Sequence, residues 1–224
     1  IESAVDFFNK LNLSRSYARQ AIRMDAAEGF LSLSEHICNV QTRIGKLDPS
    51  LLRGEELCEA RKILLALGSE LDRVQELIYK QISRGDLTDS ISYIHQYVSP
   101  SDFGFHNAIN TNTGVRFIDF EFAGWDDPAK AIIDFELQPK VPTGSPSILL
   151  NTIEESLVQT TKARCDALRP ILKLKWSCIL LSFLNRARLD ELHNVNPSVN
   201  VRDLFLSRIS KIRSYLPQGH SNYL

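Results

Sequence analysis

Apolar residues recur with helical periodicity through most of the first ninety positions of this 224-residue chain. The strongest pattern covers residues 55–82, where one stripe carries Leu57, Leu64, Leu67, Leu71, Val74 and Ile78. Apolar residues spaced three or four apart are typical of an amphipathic helix with one buried face. We therefore predict a long helix here that ends at Gly85, and Gly68 leaves open a kink or a break into two helices.

Three shorter helical patterns precede this long helix. In the first, Ser3 is the predicted N-cap of a helix whose apolar face includes Phe8. The second covers residues 16–28 and the third covers residues 34–46. We therefore predict a succession of helices in the first part of the chain.

The pattern changes near Ser90. Residues 92–98 are rich in aromatic and β-branched side chains, which favour a short extended segment. Residues 107–109 and 115–118 resemble two short strands, and the Thr-Asn-Thr-Gly sequence at residues 111–114 favours a turn between them. We therefore predict a small hairpin in the middle of a helical chain.

Helical patterns return at Pro128 and continue to the C-terminal end. The first stops before an exposed loop at residues 139–146, which contains three prolines. Further helices are predicted over residues 147–168, 171–192 and 198–215, and Pro170 and Pro197 stand where two of them would begin.

These elements predict a mainly α fold with a small β element, the α+β class. We predict one helical domain over residues 1–216, with a catalytic core at residues 91–138, and a loose tail at residues 217–224. The absence of a repeat or low-complexity region fits a single globular domain.

Composition excludes several classes of function. Hydrophobic residues make up 43% of the chain and the net charge is −1, so the basic surface that binds nucleic acid is not expected. The apolar runs are too short to span a bilayer. Four scattered cysteines without a Cys-x-x-Cys pair indicate reduced thiols in a cytoplasmic protein and argue against structural zinc. Because the chain starts at Ile1 rather than at methionine, we interpret it as a fragment or a processed form.

The candidate chemistry lies in and around the predicted hairpin. Asp102 and Asn107 are five residues apart, and Asp119 follows twelve residues after Asn107, at the end of the second strand. A carboxylate can take a proton from a hydroxyl, and carboxylate and amide oxygens are ligands that Mg²⁺ prefers. We predict that the hairpin brings Asn107 and Asp119 to one magnesium ion, with Asp102 beside them as the base.

This string resembles the catalytic core of the aminoglycoside phosphotransferases and choline kinase-like enzymes, which belong to the protein-kinase-like superfamily. The resemblance covers residues 99–137 and includes Asp102, Asn107, the Ile-Asp-Phe-Glu sequence around Asp119, and a Gly-Trp-Asp-Asp-Pro-Ala segment. It implies the large lobe of such a kinase, with Asp102 as the catalytic base and Asn107 and Asp119 as magnesium ligands. It also implies ATP or GTP as the phosphoryl donor and a small-molecule hydroxyl as the acceptor.

The resemblance further implies that Asp127 and Asp134 are the structural aspartates that follow the metal ligand, although Asp134 falls later than the usual spacing. Pro100 replaces a histidine that normally braces the catalytic loop, so bracing must come from Pro100 itself or from Ser99 and Ser101. The chain has no Gly-x-Gly phosphate loop and no strand lysine in a Val-Ala-x-Lys context. We therefore expect the small lobe to lie upstream of Ile1.

Two other functions stay open at this point. A non-catalytic, pseudokinase-like module that binds a partner or metabolite fits Pro100 and the missing nucleotide-gripping lobe. A metal-assisted phosphohydrolase would use the same aspartate and asparagine ligands. His106 is either a loop residue or a phosphate contact. The acidic residues near the motif either attract a cationic acceptor or form a solvated face, and they are Glu121, Asp126, Asp127, Asp134 and Glu136.

Overall fold

The structure is a computed structural model that describes residues 1–112, 114–138, 141–142 and 148–217. Its helices are α1 (Glu2–Asn12), α2 (Arg15–Ala21), α3 (Leu33–Gly45), α4 (Gly54–Arg84), α5 (Pro128–Leu137), α6 (Glu155–Leu180), α7 (Arg186–Val195) and α8 (Val201–Tyr215). Its strands are β1 (Tyr97–Ser99), β2 (Ala108–Thr111), β3 (Gly114–Phe117) and β4 (Gly124–Asp126). The mainly helical α+β class is confirmed. Position 113 of the predicted turn, most of the 139–146 loop and the tail beyond Pro217 lie outside the described residues.

The chain divides into two compact units. The first contains Ile1–Glu35 and Arg84–Leu172, and it carries all four strands and the candidate site. The second contains His36–Ser83 and the described residues from Lys173 onward.

The core of the first unit contains side chains from α1, β1 and α5. Phe8 of α1, Tyr97 and Val98 of β1, and Ile132 and Ile133 of α5 are all buried. Removing a large apolar side chain from water is worth about 1.5–3 kcal/mol, so these residues fix the elements that flank the candidate site.

In the second unit the long predicted helix is confirmed. The stripe of α4 buries Ile63, Leu67, Leu71, Val74 and Ile78 at intervals of three or four residues. The helix runs through Gly68 without a break, because continuous hydrogen bonding and burial on both sides outweigh the roughly 1 kcal/mol cost of glycine. It ends at Gly85, whose φ of +78° is a conformation that glycine adopts without a Cβ penalty.

Two antiparallel strand pairs lie around the site. β2 pairs with β3, with Ala108 opposite Phe117, and this confirms the predicted hairpin. β1 pairs with β4, which places Ser99 opposite Gly124. The predicted extended segment at residues 92–98 is partly wrong, because a 3-10 turn at Tyr93–His95 occupies its centre and only its end enters β1.

The N-terminal helices differ from the prediction at two points. Ser3 is not a cap, because the Ile1 carbonyl already accepts the first helical bonds and α1 begins at Glu2. The second helix ends at Ala21 rather than at residue 28, since the following backbone pairs with Trp125. The Trp125 amide donates to the Met24 carbonyl at 3.1 Å, and the Trp125 ring nitrogen donates to the Ile22 carbonyl at 3.1 Å.

The C-terminal helices also begin and end elsewhere than predicted. α6 runs through Pro170, which does not start a new helix, because the buried residues Leu168, Ile171 and Leu172 hold both sides of the proline in place. A 3-10 turn at Ser182–Leu184 separates α6 from α7. α8 starts at Val201, after the Asn200 cap, rather than at Pro197.

Candidate active site

The loop between β1 and β2 carries Asp102 in a tight, braced conformation. The backbone amide of Ser101 donates to the Ser99 hydroxyl at 3.0 Å, and the Ser101 hydroxyl donates to the Ala27 carbonyl at 3.2 Å. Ser101 has a φ of +67°, which is unusual for a residue with a side chain. The two serines therefore brace this loop.

The carboxylate of Asp102 accepts hydrogen bonds from two side chains and lies close to a third. Asn107 Nδ2 donates to Oδ2 at 3.1 Å, and His106 Nε2 lies 3.2 Å from the same oxygen. Gln138 Nε2 donates to Oδ1 at 2.8 Å. The Asp102 side chain is still 47% exposed. An oriented carboxylate that solvent or a substrate can reach is suited to accept a proton.

Asn107 is joined to Asp102 through the backbone as well as the side chain. Its Nδ2 also donates to the Asp102 carbonyl oxygen at 3.0 Å. Because both bonds use the amide nitrogen, the amide oxygen is on the other branch of the side chain and stays suitable as a cation ligand. Two of the three predicted site residues are therefore in direct contact.

Asp119 is placed by the hairpin. The Ile118 amide donates to the Asn107 carbonyl at 3.0 Å, so strand pairing extends to the residue just before Asp119. Asp119 is exposed, and its carboxylate makes no hydrogen bond or ion pair with any residue of the described ranges. Its φ is +67°, a strained conformation for a residue with a side chain. Such strain persists where surrounding structure imposes it and is concentrated at functional sites.

The oxygen donors fit magnesium chemically. Asn107 supplies an amide oxygen and Asp119 supplies a carboxylate, and Mg²⁺ is commonly held by one or two protein ligands with water and phosphate oxygens completing its shell. Asp119 is exposed and Asn107 is partly exposed, so both side chains are accessible from solvent.

An aromatic cluster anchors the residues beside these ligands. The ring of Phe7, from α1, lies 5.5 Å from that of Phe103, 4.9 Å from that of Phe117 and 5.8 Å from that of Phe120. Phe103 also contacts Phe135 of α5, with ring centroids 4.8 Å apart. Aromatic pairs of this kind contribute about 0.5–1.5 kcal/mol beyond area burial. Phe103 follows Asp102 and Phe120 follows Asp119, so the cluster restricts the backbone at both positions.

The acidic residues after the hairpin have structural roles. Asp127 caps α5, with its Oδ1 accepting from the Ala129 amide at 2.8 Å. Its Oδ2 accepts from Arg164 Nε at 2.8 Å and from a terminal nitrogen of Arg164 at 2.6 Å. Arg164 also donates to the Thr88 and Asp89 carbonyls at 2.8 and 3.0 Å. This buried pair ties the start of α5 to the segment before β1.

Asp126 pairs with Lys130 inside the protein. Lys130 Nζ lies 2.6 Å from Asp126 Oδ2 and 3.6 Å from Asp134 Oδ2. Burial raises the pKa of Asp126 to about 6, and Lys130 partly opposes that shift. Burial would lower the pKa of Lys130, but the two carboxylates raise it overall. Asp126 and Asp127 therefore form neither a solvated face nor a site for a cationic acceptor.

The sequence did not identify Gln138. It follows the last residue of α5 and is 36 positions from Asp102, and no local motif marks it. The role of His106 was left open, and the structure places its ring against the Asp102 carboxylate.

The comparisons with known proteins do not assign this chain to a family. No protein-family model matches this chain, and no curated protein has significant sequence similarity to it. In the described part of the chain, no helix combines the length and apolar character that a bilayer crossing requires.

Proposed function

We propose that this chain is the large lobe of a cytoplasmic small-molecule kinase similar to the aminoglycoside phosphotransferases. The reaction is magnesium-dependent transfer of the terminal phosphoryl group of ATP or GTP to a hydroxyl. The observation that carries the proposal is the contact of Asn107 with both the carboxylate and the backbone carbonyl of Asp102. The same asparagine is joined by strand pairing to the residue before Asp119.

In this reaction Asp102 accepts the proton of the acceptor hydroxyl through a carboxylate oxygen. The hydroxyl oxygen then forms a bond to the terminal phosphorus, and the bond from that phosphorus to the bridging oxygen breaks, so the nucleoside diphosphate leaves. Asn107 and Asp119 would hold a magnesium ion, which would supply neutralisation of the phosphate charge. A positioned general base contributes about 10²–10⁴ in rate, and the alignment of charges around the phosphates must supply much of the remainder.

The assay is phosphoryl transfer from labelled ATP or GTP to a panel of sugars, amino alcohols and aminoglycosides. In the full-length enzyme, Asp102→Ala is expected to abolish transfer and leave the far-UV circular dichroism spectrum unchanged. The matched control is Asp72→Ala, because Asp72 is an exposed carboxylate on α4 outside the site. Transfer by Asp102→Ala at the wild-type rate would contradict the proposal.

The same assay separates the two alternative functions. Nucleotide hydrolysis that no acceptor accelerates, and that Asp102→Ala abolishes, supports a phosphohydrolase. Nucleotide or metabolite binding without turnover by the wild type supports a pseudokinase-like binding module. The half-exposed Asp102 leaves room for either water or an alcohol at the carboxylate. Phosphoryl transfer to the acceptor panel therefore distinguishes a kinase from a phosphohydrolase.

A further inference from the structure

Each oxygen of the Asp102 carboxylate lies close to a side-chain nitrogen that is not a proposed metal ligand. Gln138 Nε2 is 2.8 Å from Oδ1, and His106 Nε2 is 3.2 Å from Oδ2. Gln138 is only 6% exposed, whereas the Asp102 side chain is 47% exposed. A buried amide therefore restrains one oxygen of a carboxylate that is half-exposed at the surface.

Gly104 provides the space in which these two donors converge. A Cβ atom at this position would lie 2.8 Å from His106 Nδ1 and 2.9 Å from Gln138 Cβ. Both distances are shorter than carbon makes with such atoms, so any side chain at residue 104 would displace one donor or both. The conformation itself does not require glycine, since φ is −174° and the backbone is extended.

The surroundings of His106 select one tautomer. Nε2 faces the Asp102 carboxylate, which can only accept a hydrogen bond, so the ring proton belongs on Nε2. Nδ1 is buried and has no hydrogen-bond partner among the described residues, so it is the nitrogen that carries the lone pair. A proton on Nδ1 would leave a buried N–H without an acceptor.

We propose that Gln138 and His106 are positioning residues that fix the Asp102 carboxylate for proton transfer, and that Gly104 is required because it makes room for both. The catalytic meaning of this arrangement rests on the proposed kinase function. The hydrogen bonds themselves are independent of any activity. A base that is already held in its reactive orientation loses little conformational entropy on the way to the transition state, so the activation free energy is lower.

The first test is NMR spectroscopy of the isotopically labelled full chain. Asp102→Ala is expected to shift the side-chain NH₂ signals of Gln138 and the ring nitrogen signals of His106, because both lose their acceptor. The wild-type His106 ring is expected in the Nε2–H form. Unmoved Gln138 signals in Asp102→Ala, or an Nδ1–H ring in the wild type, would overturn the positioning role.

The second test is the kinetics of Gln138→Met, which keeps side-chain length and removes the donor. With magnesium-ATP and an acceptor from the panel, kcat is expected to fall roughly 10–100-fold, as for loss of a hydrogen bond to a charged group, while KM for magnesium-ATP stays unchanged. Gln81→Met, at an exposed position of α4, is the matched control. An unchanged kcat in Gln138→Met would refute a positioning role in catalysis.

The third test is Gly104→Ala, which examines whether Gly104 makes room for Gln138 and His106. It is expected to move the Gln138 and His106 signals together, whereas Gly68→Ala, which adds a methyl group in open space on α4, is expected to move neither. Unmoved signals in Gly104→Ala would exclude the role of Gly104. If the full-length protein transfers no phosphoryl group to any acceptor, the kinase proposal fails, and the NMR measurements still decide whether these residues position Asp102.

Discussion

Asn107 donates hydrogen bonds from one nitrogen to two oxygens of Asp102, at 3.1 Å to the carboxylate and 3.0 Å to the backbone carbonyl. This contact closes the loop that leads from β1 to β2. It also fixes which branch of the Asn107 amide faces Asp102, so one contact orients both the proposed base and the proposed metal ligand.

Removing the Asn107 amide should therefore affect both stability and ligand binding. Asn107→Ala loses two hydrogen bonds, one of them to a charged group, and we expect the free energy of unfolding to fall by about 1–3 kcal/mol. We also expect weaker magnesium-ATP binding. Urea denaturation and calorimetric titration measure the two effects. Asn194→Ala, at an exposed position of α7, is the control and should change neither quantity.

At Asp119, we expect a substitution to raise the stability of the fold while it weakens ligand binding. Its φ of +67° is strained for aspartate and unstrained for glycine. Asp119→Gly should raise the free energy of unfolding by up to about 1 kcal/mol, less any effect of glycine on the unfolded chain, and should weaken magnesium-ATP binding. A variant that is less stable than the wild type and binds magnesium-ATP equally well would contradict both assignments.

The ion pair of Arg164 with Asp127 is a strong structural element. Both side chains are buried, and Arg164→Met would leave the Asp127 carboxylate without its cation. Breaking a buried pair in this way costs about 3–5 kcal/mol, which denaturant titration can measure. Lys10→Met breaks the exposed pair of Lys10 with Asp6, and a loss below about 1 kcal/mol is expected there. Equal losses of unfolding free energy in Arg164→Met and Lys10→Met would show that burial does not determine how much an ion pair contributes to stability.

Asp126 gives the protein a specific pH dependence. Burial raises the pKa of its carboxyl from 3.8 to about 6, so the folded state favours the protonated form. The stability contributed by this group is therefore fully present below about pH 4 and is lost as the pH rises through about 6. We expect the difference in unfolding free energy between the wild type and Asp126→Asn to fall with rising pH across this range. A difference in unfolding free energy that rises with pH, or stays constant, would show that burial does not control the pKa of the Asp126 carboxyl.

The sequence was sufficient for features whose causes are local. The α4 stripe repeats every three or four residues, and the turn sequence between β2 and β3 carries its own backbone preference, so both could be predicted. The five-residue spacing also placed Asp102 near Asn107, although their direct hydrogen bond was not predicted. These features depend on residues close together in the chain.

The features that could not be predicted depend on distant residues. The backbone after Ala21 leaves its helix because it pairs with Trp125, a hundred positions later in the chain. Pro170 stays inside α6 because the apolar residues around it are buried, which outweighs the local cost of proline. Gln138 reaches Asp102 only because α5 packs against the loop through Phe135 and Phe103. No periodicity within the sequence carries this information.

The most direct test of the proposed metal site replaces magnesium with paramagnetic Mn²⁺ in the presence of ATP and records NMR spectra of the ¹⁵N-labelled chain. We predict selective broadening of the Asn107 side-chain amide and of the Ile118 and Asp119 backbone amides, reversed by excess Mg²⁺. The broadening should be lost in a variant that combines Asn107→Ala with Asp119→Gly. Broadening that is the same in the wild type and this variant, or that is centred on other residues, would contradict a shared cation at Asn107 and Asp119.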